Sequence, residues 1–327
     1  MKFALFTGMS GTTWDEVLGL WQHGDRTGWD AACVTDHFMP NTADRVGDTL
    51  ECWTALAALA ARTERMRVGT IVSGNTYRHP ALLAKMAANV DIISRGRLIC
   101  GMGAGWQENE HRAYGMDFYT TRERLERLDE ACQVLKALWT EARASYKGRF
   151  YRLDDAPLMP KPVQKPHPEL MIGGGGEKVT LRIAAQHADH WNVWGGPATL
   201  THKGRILDEH CAKVGRDPKQ ILRSAVMVLG FADDRAGVER IQQSYMKRMG
   251  ADLTKARDTV LGGSASEIRD KLGQLQAAGV GMLFIPTFLL PADRLGALDR
   301  FMAEIAPSFR SSPAAPSARR RSRGSGR

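Results

Sequence analysis

Short apolar segments recur along the chain and alternate with longer segments in which apolar residues follow helical spacing. Runs of apolar residues bounded by glycine or polar residues are typical of strands that are buried on both faces. Eight such strands are predicted from the sequence, at residues 2–7, 31–36, 66–72, 97–102, 170–173, 190–194, 222–229 and 282–286.

The segments between most of these strands carry helix signals. Thr13 and Glu16 form the capping-box pattern, in which each side chain can bond the backbone of the other, and Ser264 with Glu267 repeats it. Pro80 stands at the first position of another helix, where its missing N–H costs no hydrogen bond. Strands therefore alternate with helices along the chain.

A regular alternation of strand and helix favours a parallel sheet, because parallel neighbours need a long crossover connection. Eight strand–helix units match a closed (β/α)8 barrel, the TIM barrel, and we predict this α/β fold for residues 1–310 as one domain. An open doubly wound sheet is the alternative. Insertions are expected after strands 4 and 7, where the intervals between strands are longest.

The charge is unevenly distributed. The 327 residues carry a formal net charge of +9, and residues 311–327 contribute five arginines and no acid, so the remainder carries 9 − 5 = +4. This Arg/Ser/Pro-rich tail has too little apolar surface to offset the entropy of ordering it, so we predict that it is disordered. The mildly basic body argues against nucleic-acid binding, and a nucleic-acid-binding protein driven by the tail is kept as an alternative hypothesis.

The five cysteines are scattered, without a C-x-x-C pair or a zinc-type spacing, so we expect reduced thiols and no metal site. The N-terminal apolar run stops at Gly8 and is too short for a signal peptide or a membrane span. These features predict a cytoplasmic protein without a membrane partner.

The segment RLICGMGAGWQENE, residues 97–110, joins a buried strand to a glycine-rich turn and then to Trp106, Asn109 and Glu110. Glycine has no Cβ atom, so a flat ligand can approach the backbone closely there. The functional interpretation is a cofactor pocket. The alternative is a tight strand-to-helix turn that needs glycine only for its dihedral angles.

Two further strand ends carry candidate chemistry, because a parallel barrel places its active site at the carboxyl ends of its strands. The second strand ends at Asp36 and His37, which can orient a polar ligand or move a proton, or can form a structural pair. The fifth ends in Gly173–Gly176 before a helix, where backbone N–H groups suit a phosphate; a flexible turn is the alternative. Trp194 ends the sixth strand and either lines the pocket or packs in the core.

Five motifs along the chain together resemble one known family. They are VTDHF at 34–38, YRHPA at 77–81, SRGRL at 94–98 leading into GAGW at 103–106, KPVQKP at 161–166 and ADHWN at 188–192. In this combination the chain resembles the bacterial luciferase-like monooxygenases, and within them the coenzyme F420-dependent oxidoreductases, from the first strand to about residue 307. The order of several motifs makes the resemblance more specific than any one motif.

The resemblance implies a (β/α)8 barrel that binds F420, or alternatively FMN, with the ring across the strand ends. It also implies a non-proline cis peptide bond against the ring, within residues 70–73, with Ile71–Val72 as the expected position. The implied cofactor-binding residues are Asp36 and His37 beside the ring, Thr70, Ile71 and Val72 at the cis bond, Gly103, Gly105 and Asn109 on the pyrimidine side, and Gly173, Gly174, Gly175 and Gly176 at the phosphate.

The expected reaction is hydride transfer between F420 and a small organic substrate, which needs a pocket that excludes water and supplies a proton donor or acceptor. His37 is the first candidate for that acid–base role and Glu110 the second. Trp106, Tyr114 and Trp194 are the candidate substrate contacts. The alternative is a monooxygenase that uses reduced FMN and oxygen, with electrons from a separate reductase. The resemblance also leads us to expect a homodimer.

Overall fold

The computed structural model describes residues 1–41 and 46–310, so the tail predicted to be disordered, 311–327, lies outside the described residues. Eight parallel strands alternate with helices in the described part of the chain. The strands are β1 (Lys2–Thr7), β2 (Ala31–Val34), β3 (Arg67–Thr70), β4 (Leu98–Gly103), β5 (Glu169–Gly173), β6 (His190–Trp194), β7 (Leu222–Val226) and β8 (Met282–Pro286).

Each of these strands pairs with the next one along the chain, and β8 pairs with β1. The register places Leu283 of β8 opposite Phe3 of β1, while Leu98 of β4 stands opposite Val68 of β3. The sheet is therefore closed. The predicted (β/α)8 barrel is confirmed, and the open doubly wound alternative is excluded.

Helices surround the barrel, and each of the helix starts predicted above is confirmed. The capping boxes form at Thr13 with Glu16 and at Ser264 with Glu267, and Pro80 is the first residue of its helix. The helices of the described residues are α1 (Trp14–Thr27), α2 (Cys52–Ala61), α3 (Pro80–Ile93), α4 (Glu108–Ala113), α5 (Thr121–Thr140), α6 (Thr180–His187), α7 (Pro197–Lys213), α8 (Arg235–Met249), α9 (Leu253–Thr259), α10 (Ala265–Ala277) and α11 (Arg294–Glu304).

The alternation of side chains along each strand divides the buried residues into two groups. On β1, Ala4 and Phe6 belong to a small apolar cluster inside the barrel, together with Phe284 of β8. Phe3 and Leu5 point the other way, into the larger core between strands and helices. The lumen is thus a packed core rather than a pore, and the cavity described below lies at one end of it.

Both predicted insertions are present. After β4, the chain forms α4, α5 and an antiparallel hairpin of Ala144–Lys147 with Arg152–Ala156. After β7, it forms a separate two-stranded parallel sheet from Val228–Phe231 and Val260–Gly263, with α8 and α9 between the two strands. Both insertions stand at the carboxyl ends of barrel strands, where they can add residues to a site.

Three of the predicted strands are too long. The strand predicted at 222–229 is wrong because β7 ends at Val226 and the chain then leaves the barrel for the two-stranded sheet. The strand predicted at 66–72 ends at Thr70, and a two-residue strand, Ser73–Gly74, resumes pairing with β4. The strand predicted at 31–36 ends at Val34, because the next residues turn toward the loops.

None of the helices in the described residues is long and apolar enough to span a membrane. All five cysteines are buried and none forms a disulfide, in agreement with the expected thiols. No cluster of metal-ligating side chains occurs within residues 1–41 and 46–310.

Candidate active site

A cavity of about 820 Å³ opens at the carboxyl ends of the barrel strands. Parallel barrels bind their ligands on this face, because the loops after the strands meet there. Glycines and apolar side chains make up most of its walls, which suits a ligand with a flat ring. The large apolar residues of the lining are Phe6, Met9, Met39, Ile71, Val72, Trp106, Val193, Trp194, Met249 and Phe288.

Val72 stands between two of the predicted glycine positions. The Ile71–Val72 peptide bond is cis, as the family resemblance implies. A Cβ atom on Gly103 would lie 2.7 Å from Val72 Cγ2, and a Cβ atom on Gly173 would lie 2.8 Å from Val72 Cγ1. Both glycines line the cavity. Glycine is required at both positions because the Val72 side chain leaves no room for a Cβ atom. The reason predicted from the sequence is different: the close approach of a ligand.

His37 follows β2 and forms part of the cavity wall. Its Nδ1 atom lies 2.8 Å from Oε1 of Glu110, which comes from α4. The same carboxylate accepts hydrogen bonds from the Phe38 N–H, at 2.9 Å, and from the Tyr77 hydroxyl. Because a carboxylate can only accept, Nδ1 carries a proton and Nε2 of His37 is left to act on a ligand.

Glu110 is completely buried and is not among the residues that line the cavity. Burial raises the pKa of its carboxyl group, but hydrogen bonds from His37, Tyr77 and the Phe38 N–H outweigh burial and hold that pKa below its ordinary value. Burial and the Glu110 carboxylate together raise the pKa of Tyr77. The structure therefore places Glu110 behind His37 as an ionised group, not beside a ligand as its predicted acid–base role requires.

Asp36 also lies outside the cavity lining, although it was predicted beside the ring. Its carboxylate forms two hydrogen bonds with the Arg78 guanidinium, at 2.6 and 3.1 Å, and Arg78 also binds Glu51 at 2.6 Å. Burial raises the pKa of Asp36, and Arg78 opposes that rise. The pair ties the segment after β2 to the loop after β3, which fixes the backbone that carries His37.

Of three further predicted cofactor contacts, Thr70 and Asn109 lie outside the cavity lining and Gly105 lies in it. Thr70 is fully buried, and its hydroxyl donates to the Gly101 carbonyl at 2.8 Å, so it belongs to the strand pairing below the cavity. Asn109 lies in α4, outside the lining, and its buried Oδ1 has no hydrogen-bond partner among the described residues. Gly105 does line the cavity; its φ of +79° and the Thr76 hydroxyl, 2.6 Å from where a Cβ would stand, both require glycine.

Three of the four glycines predicted to hold phosphate, Gly173–Gly175, line the cavity, whereas Gly176 does not. The Gly174 N–H donates to the Asn192 carbonyl at 2.9 Å, so it is not free for a ligand. The adjoining helix α6 begins at Thr180 without a side-chain cap. The Leu181 N–H donates to the Gly176 carbonyl at 3.0 Å, which leaves the N–H groups of Thr180 and Arg182 in the first turn to bind an anion.

Lys255 of α9 adds a positive charge to the cavity wall. The carboxylate of Asp258, on the same helix, accepts from the backbone N–H groups of Gly196 and Thr199 after β6, at 2.9 and 3.2 Å. These bonds hold α9 against the β6 side of the barrel end. No described carboxylate forms an ion pair with Lys255, so its ammonium group is available to a phosphate on that side.

Two of the three predicted substrate contacts line the cavity. The Trp106 ring lies 5.5 Å from the His37 ring and is nearly perpendicular to it, and 60% of the residue is exposed. Trp194 packs edge to face within the wall. Tyr114 does not reach the cavity; it is 59% exposed and its hydroxyl donates to the Phe38 carbonyl at 3.3 Å.

Sequence reasoning missed several residues of the lining. Met9 and Ser10 lie in the loop after β1 and could have been found by extending each predicted strand by a few residues. Met249 and Lys255 belong to the insertion after β7. No local pattern indicates these two, because only the folding of α8 and α9 over the barrel end brings them to the site.

A family model described as luciferase-like monooxygenase matches residues 1–290. The chain belongs to the luciferase-like monooxygenase family. This luciferase-like protein is 29% identical to the FMNH2-dependent dimethylsulfone monooxygenase of Pseudomonas putida over 307 residues, 83% of each chain. It is 34% identical to the F420-dependent glucose-6-phosphate dehydrogenase of Kineococcus radiotolerans over 217 residues, 65% of this chain and 63% of that protein.

Solved structures share the luciferase-like barrel. An F420-dependent secondary alcohol dehydrogenase, in complex with an F420–acetone adduct, superposes with a TM-score of 0.82 at 20% identity, covering 95% of this chain and 99% of that one. A long-chain alkane monooxygenase superposes with a TM-score of 0.77 at 16% identity, covering 94% and 91%. At these identities the likeness shows the fold alone. The family relatives of this luciferase-like protein thus include both F420-dependent and FMNH2-dependent enzymes.

Proposed function

We propose that this protein is an F420-dependent oxidoreductase that transfers a hydride between the deazaflavin and an alcohol or carbonyl substrate in the 820 Å³ cavity. The observation that carries the proposal is the His37–Glu110 pair, in which a buried carboxylate holds Nδ1 of an imidazole in the cavity wall. Alcohol oxidation needs a base for the hydroxyl proton, and carbonyl reduction needs an acid. Nε2 of His37 can serve in both directions.

The residues present fit a flat cofactor that carries a phosphate. The cavity volume is in the range of sites that enclose ligands of this size, and Ile71 with Val72 offers an apolar surface to a ring. Next to Val72, Gly173 leads through Gly174 and Gly175 toward the uncapped start of α6, and Lys255 of the same cavity lining supplies a positive charge. Ile71 and Val72 would hold the ring. Gly173–Gly175, the start of α6 and Lys255 would hold the phosphate.

In the direction of alcohol oxidation, bound F420 would supply the acceptor for the hydride that leaves the carbinol carbon. Nε2 of His37 accepts the hydroxyl proton, so that the carbon and oxygen are left as a carbonyl. The ionised Glu110 keeps the imidazole oriented and balances its positive charge after proton transfer. Trp106 and Trp194 line the same cavity, and a substrate packed against them would have apolar surface in place of water beside its reacting atoms.

The relatives support two cofactor chemistries. The F420-dependent relative from Kineococcus radiotolerans has the higher identity, 34%, and the oriented His37 provides the acid–base group that hydride transfer to a carbonyl uses. The Pseudomonas putida relative matches more of each chain, 83%. A monooxygenase that uses reduced FMN, oxygen and a separate reductase is therefore the second candidate. Homodimer formation remains a prediction for either one.

The test is a turnover assay with F420 and a panel of alcohols and carbonyl compounds, following the visible absorbance of oxidised F420. We expect at least one alcohol to bleach that absorbance. His37→Gln is expected to lower the rate by about 10²- to 10⁴-fold, the usual contribution of a general acid–base, while F420 still binds. Full activity in His37→Gln, or substrate oxygenation with reduced FMN and none of the F420 turnover, would overturn the proposal.

A further inference from the structure

A second cavity, of about 430 Å³, lies beside the proposed active site. The loop after β1, the first turns of α1, the end of α8 and the segment after β8 form its walls. It shares Gly8, Ser10, Met249 and Phe288 with the active-site cavity. Because the two cavities share part of their walls, one elongated molecule can occupy both.

Two arginines give the second cavity its chemical character. Arg248 reaches it from the end of α8, and Arg294 from the first residue of α11. One Arg248 nitrogen donates to the Phe288 carbonyl at 3.2 Å. Neither guanidinium forms an ion pair with a carboxylate of the described residues, so most of their N–H donors are left for a ligand.

Glu16 is the carboxylate in this lining, and it is already engaged by α1. It accepts hydrogen bonds from the Thr13 N–H, at 2.8 Å, and from the Thr12 and Thr13 hydroxyls, at 3.1 and 3.2 Å. Those bonds, together with the positive charge of Arg294, hold the pKa of Glu16 below its ordinary value. The two guanidinium groups and this carboxylate leave a net charge of 2 − 1 = +1 in the cavity lining, which favours an anion.

We infer that the second cavity is a subsite for an acidic group, a carboxylate or a phosphate, on the substrate whose alcohol or carbonyl carbon lies in the active-site cavity. The assignment of that substrate rests on the proposed function. Arg248 and Arg294 would bind the acidic group through charge-assisted hydrogen bonds, which are stronger than neutral ones. The enzyme therefore prefers hydroxy acids, oxo acids or phosphorylated alcohols over neutral alcohols of the same size.

The first test needs no cofactor. Inorganic phosphate and, separately, acetate are titrated into the full chain by calorimetry at constant ionic strength. We expect saturable binding of at least one anion, and a loss of affinity of about tenfold in Arg248→Gln and in Arg294→Gln, which each remove a charged donor. Arg235→Gln is the matched control, since Arg235 lies on the same helix as Arg248, pairs with Glu239 and lines neither cavity.

Absence of saturable binding of both anions to the wild type, or equal affinity in all three variants, overturns the subsite. The two anions distinguish phosphate from carboxylate recognition. All three variants replace exposed arginines, so the fold is expected to be unchanged. Their thermal unfolding midpoints, compared with that of the wild type, check this.

The second test uses turnover with F420. KM is compared for a hydroxy acid and for the alcohol that lacks its carboxylate, and Arg248→Gln is expected to raise KM about tenfold more for the acid than for the neutral alcohol. Equal changes for both compounds overturn the subsite while leaving the proposed function in place. Anion binding that depends on both arginines, without any F420 turnover, supports the anion site and removes the proposed function.

Discussion

At the scale of single residues, the proposed chemistry depends on one imidazole and on what holds it. Nδ1 of His37 is fixed by Glu110, and Glu110 in turn accepts hydrogen bonds from Tyr77 and the Phe38 N–H. The residue before His37 is Asp36, whose ion pair with Arg78 fixes the local backbone. The carboxylates of Asp36 and Glu110 thus position His37, which faces the cavity, and do not face it themselves.

Glu110→Gln is predicted to lower kcat by about 10- to 100-fold, the usual effect of losing a group that orients a functional histidine. The amide brings an NH2 group that cannot accept a hydrogen bond, so at least one donor among His37, Tyr77 and the Phe38 N–H loses its acceptor. The nitrogen chemical shifts of the His37 ring report the change in tautomer. F420 titration, run in parallel, is expected to give an unchanged Kd.

Tyr77→Phe is the matched control for Glu110→Gln. It removes one hydrogen bond to Glu110 but leaves the carboxylate that binds Nδ1 of His37. Its loss of kcat is therefore expected to be smaller. Equal losses in the two variants, or normal activity and normal ring shifts in Glu110→Gln, would show that Glu110 does not position His37.

Glu169 gives a prediction about stability rather than catalysis. It is the first residue of β5, and its carboxylate binds Nδ1 of His190 at 2.7 Å and the Arg67 guanidinium. Burial raises the pKa of Glu169, but His190 and Arg67 outweigh burial and lower it from 4.5 to about 2. Since the pKa is lower in the folded state, the group stabilises the fold above pH 4.5 and loses this contribution as the pH falls toward 2.

The free energy of unfolding of the wild type should therefore fall by about 2 kcal/mol between pH values of about 5.5 and 3 because of Glu169 alone. Urea unfolding of Glu169→Gln across the same range should lack this part of the decrease. Parallel pH profiles for the two proteins would contradict the assigned ion pairs.

The position of His37 in the cavity wall could be predicted from sequence, because a side chain just after a barrel strand reaches the ligand face, whereas its catalytic role stays a prediction. It could not assign the roles of the two nearby carboxylates. Whether Asp36 or Glu110 is turned away from the ligand depends on Arg78 and Tyr77, which lie elsewhere in the chain and meet them only after folding.

At the scale of elements, Val72 in the chain after β3 packs against the ends of both β4 and β5, at Gly103 and Gly173. Gly103→Ala would place a Cβ atom 2.7 Å from Val72 Cγ2. Overpacking of this kind should lower the free energy of unfolding by about 1 to 3 kcal/mol, as measured by urea unfolding. Val72→Ala combined with Gly103→Ala should recover most of the loss, because the clashing methyl groups are gone.

Gly19→Ala serves as the control for Gly103→Ala. Gly19 lies in α1, and a Cβ atom there would meet nothing within 4 Å. Alanine at a helical position should raise the free energy of unfolding by about 0.5 to 1 kcal/mol. If Gly103→Ala behaves like Gly19→Ala, or if the double variant shows no recovery, Val72 does not determine the need for glycine.

All eight barrel strands could be predicted from sequence, because each one is a buried apolar run. The hairpin of Ala144–Lys147 and Arg152–Ala156 could not, since its residues are largely exposed and carry no such run. The division of residues 222–229 between two sheets could not be predicted either. The apolar pattern continues through Met227, where the backbone passes from the barrel to the two-stranded sheet. An apolar sequence pattern predicts that a segment is buried, but it does not predict in which sheet the segment lies.

At the scale of the whole molecule, the sequence separates a mildly basic body from a strongly basic tail. Deleting residues 311–327 would reduce the net charge from +9 to +4. This change should weaken retention on a heparin column, because that interaction is electrostatic, and should leave the Kd for F420 unchanged. Weaker F420 binding by the shortened chain would mean that the tail takes part in the cofactor site.

The central claim is that the cavity at the end of this barrel is a site for F420. Separate titrations of the full chain with F420 and with FMN, followed by tryptophan fluorescence, test it most directly, since Trp106 and Trp194 line the cavity. The account predicts quenching by F420 with a Kd of about 1 μM or lower, and at least about tenfold weaker binding of FMN. Tighter binding of FMN, or binding of neither compound, would contradict it.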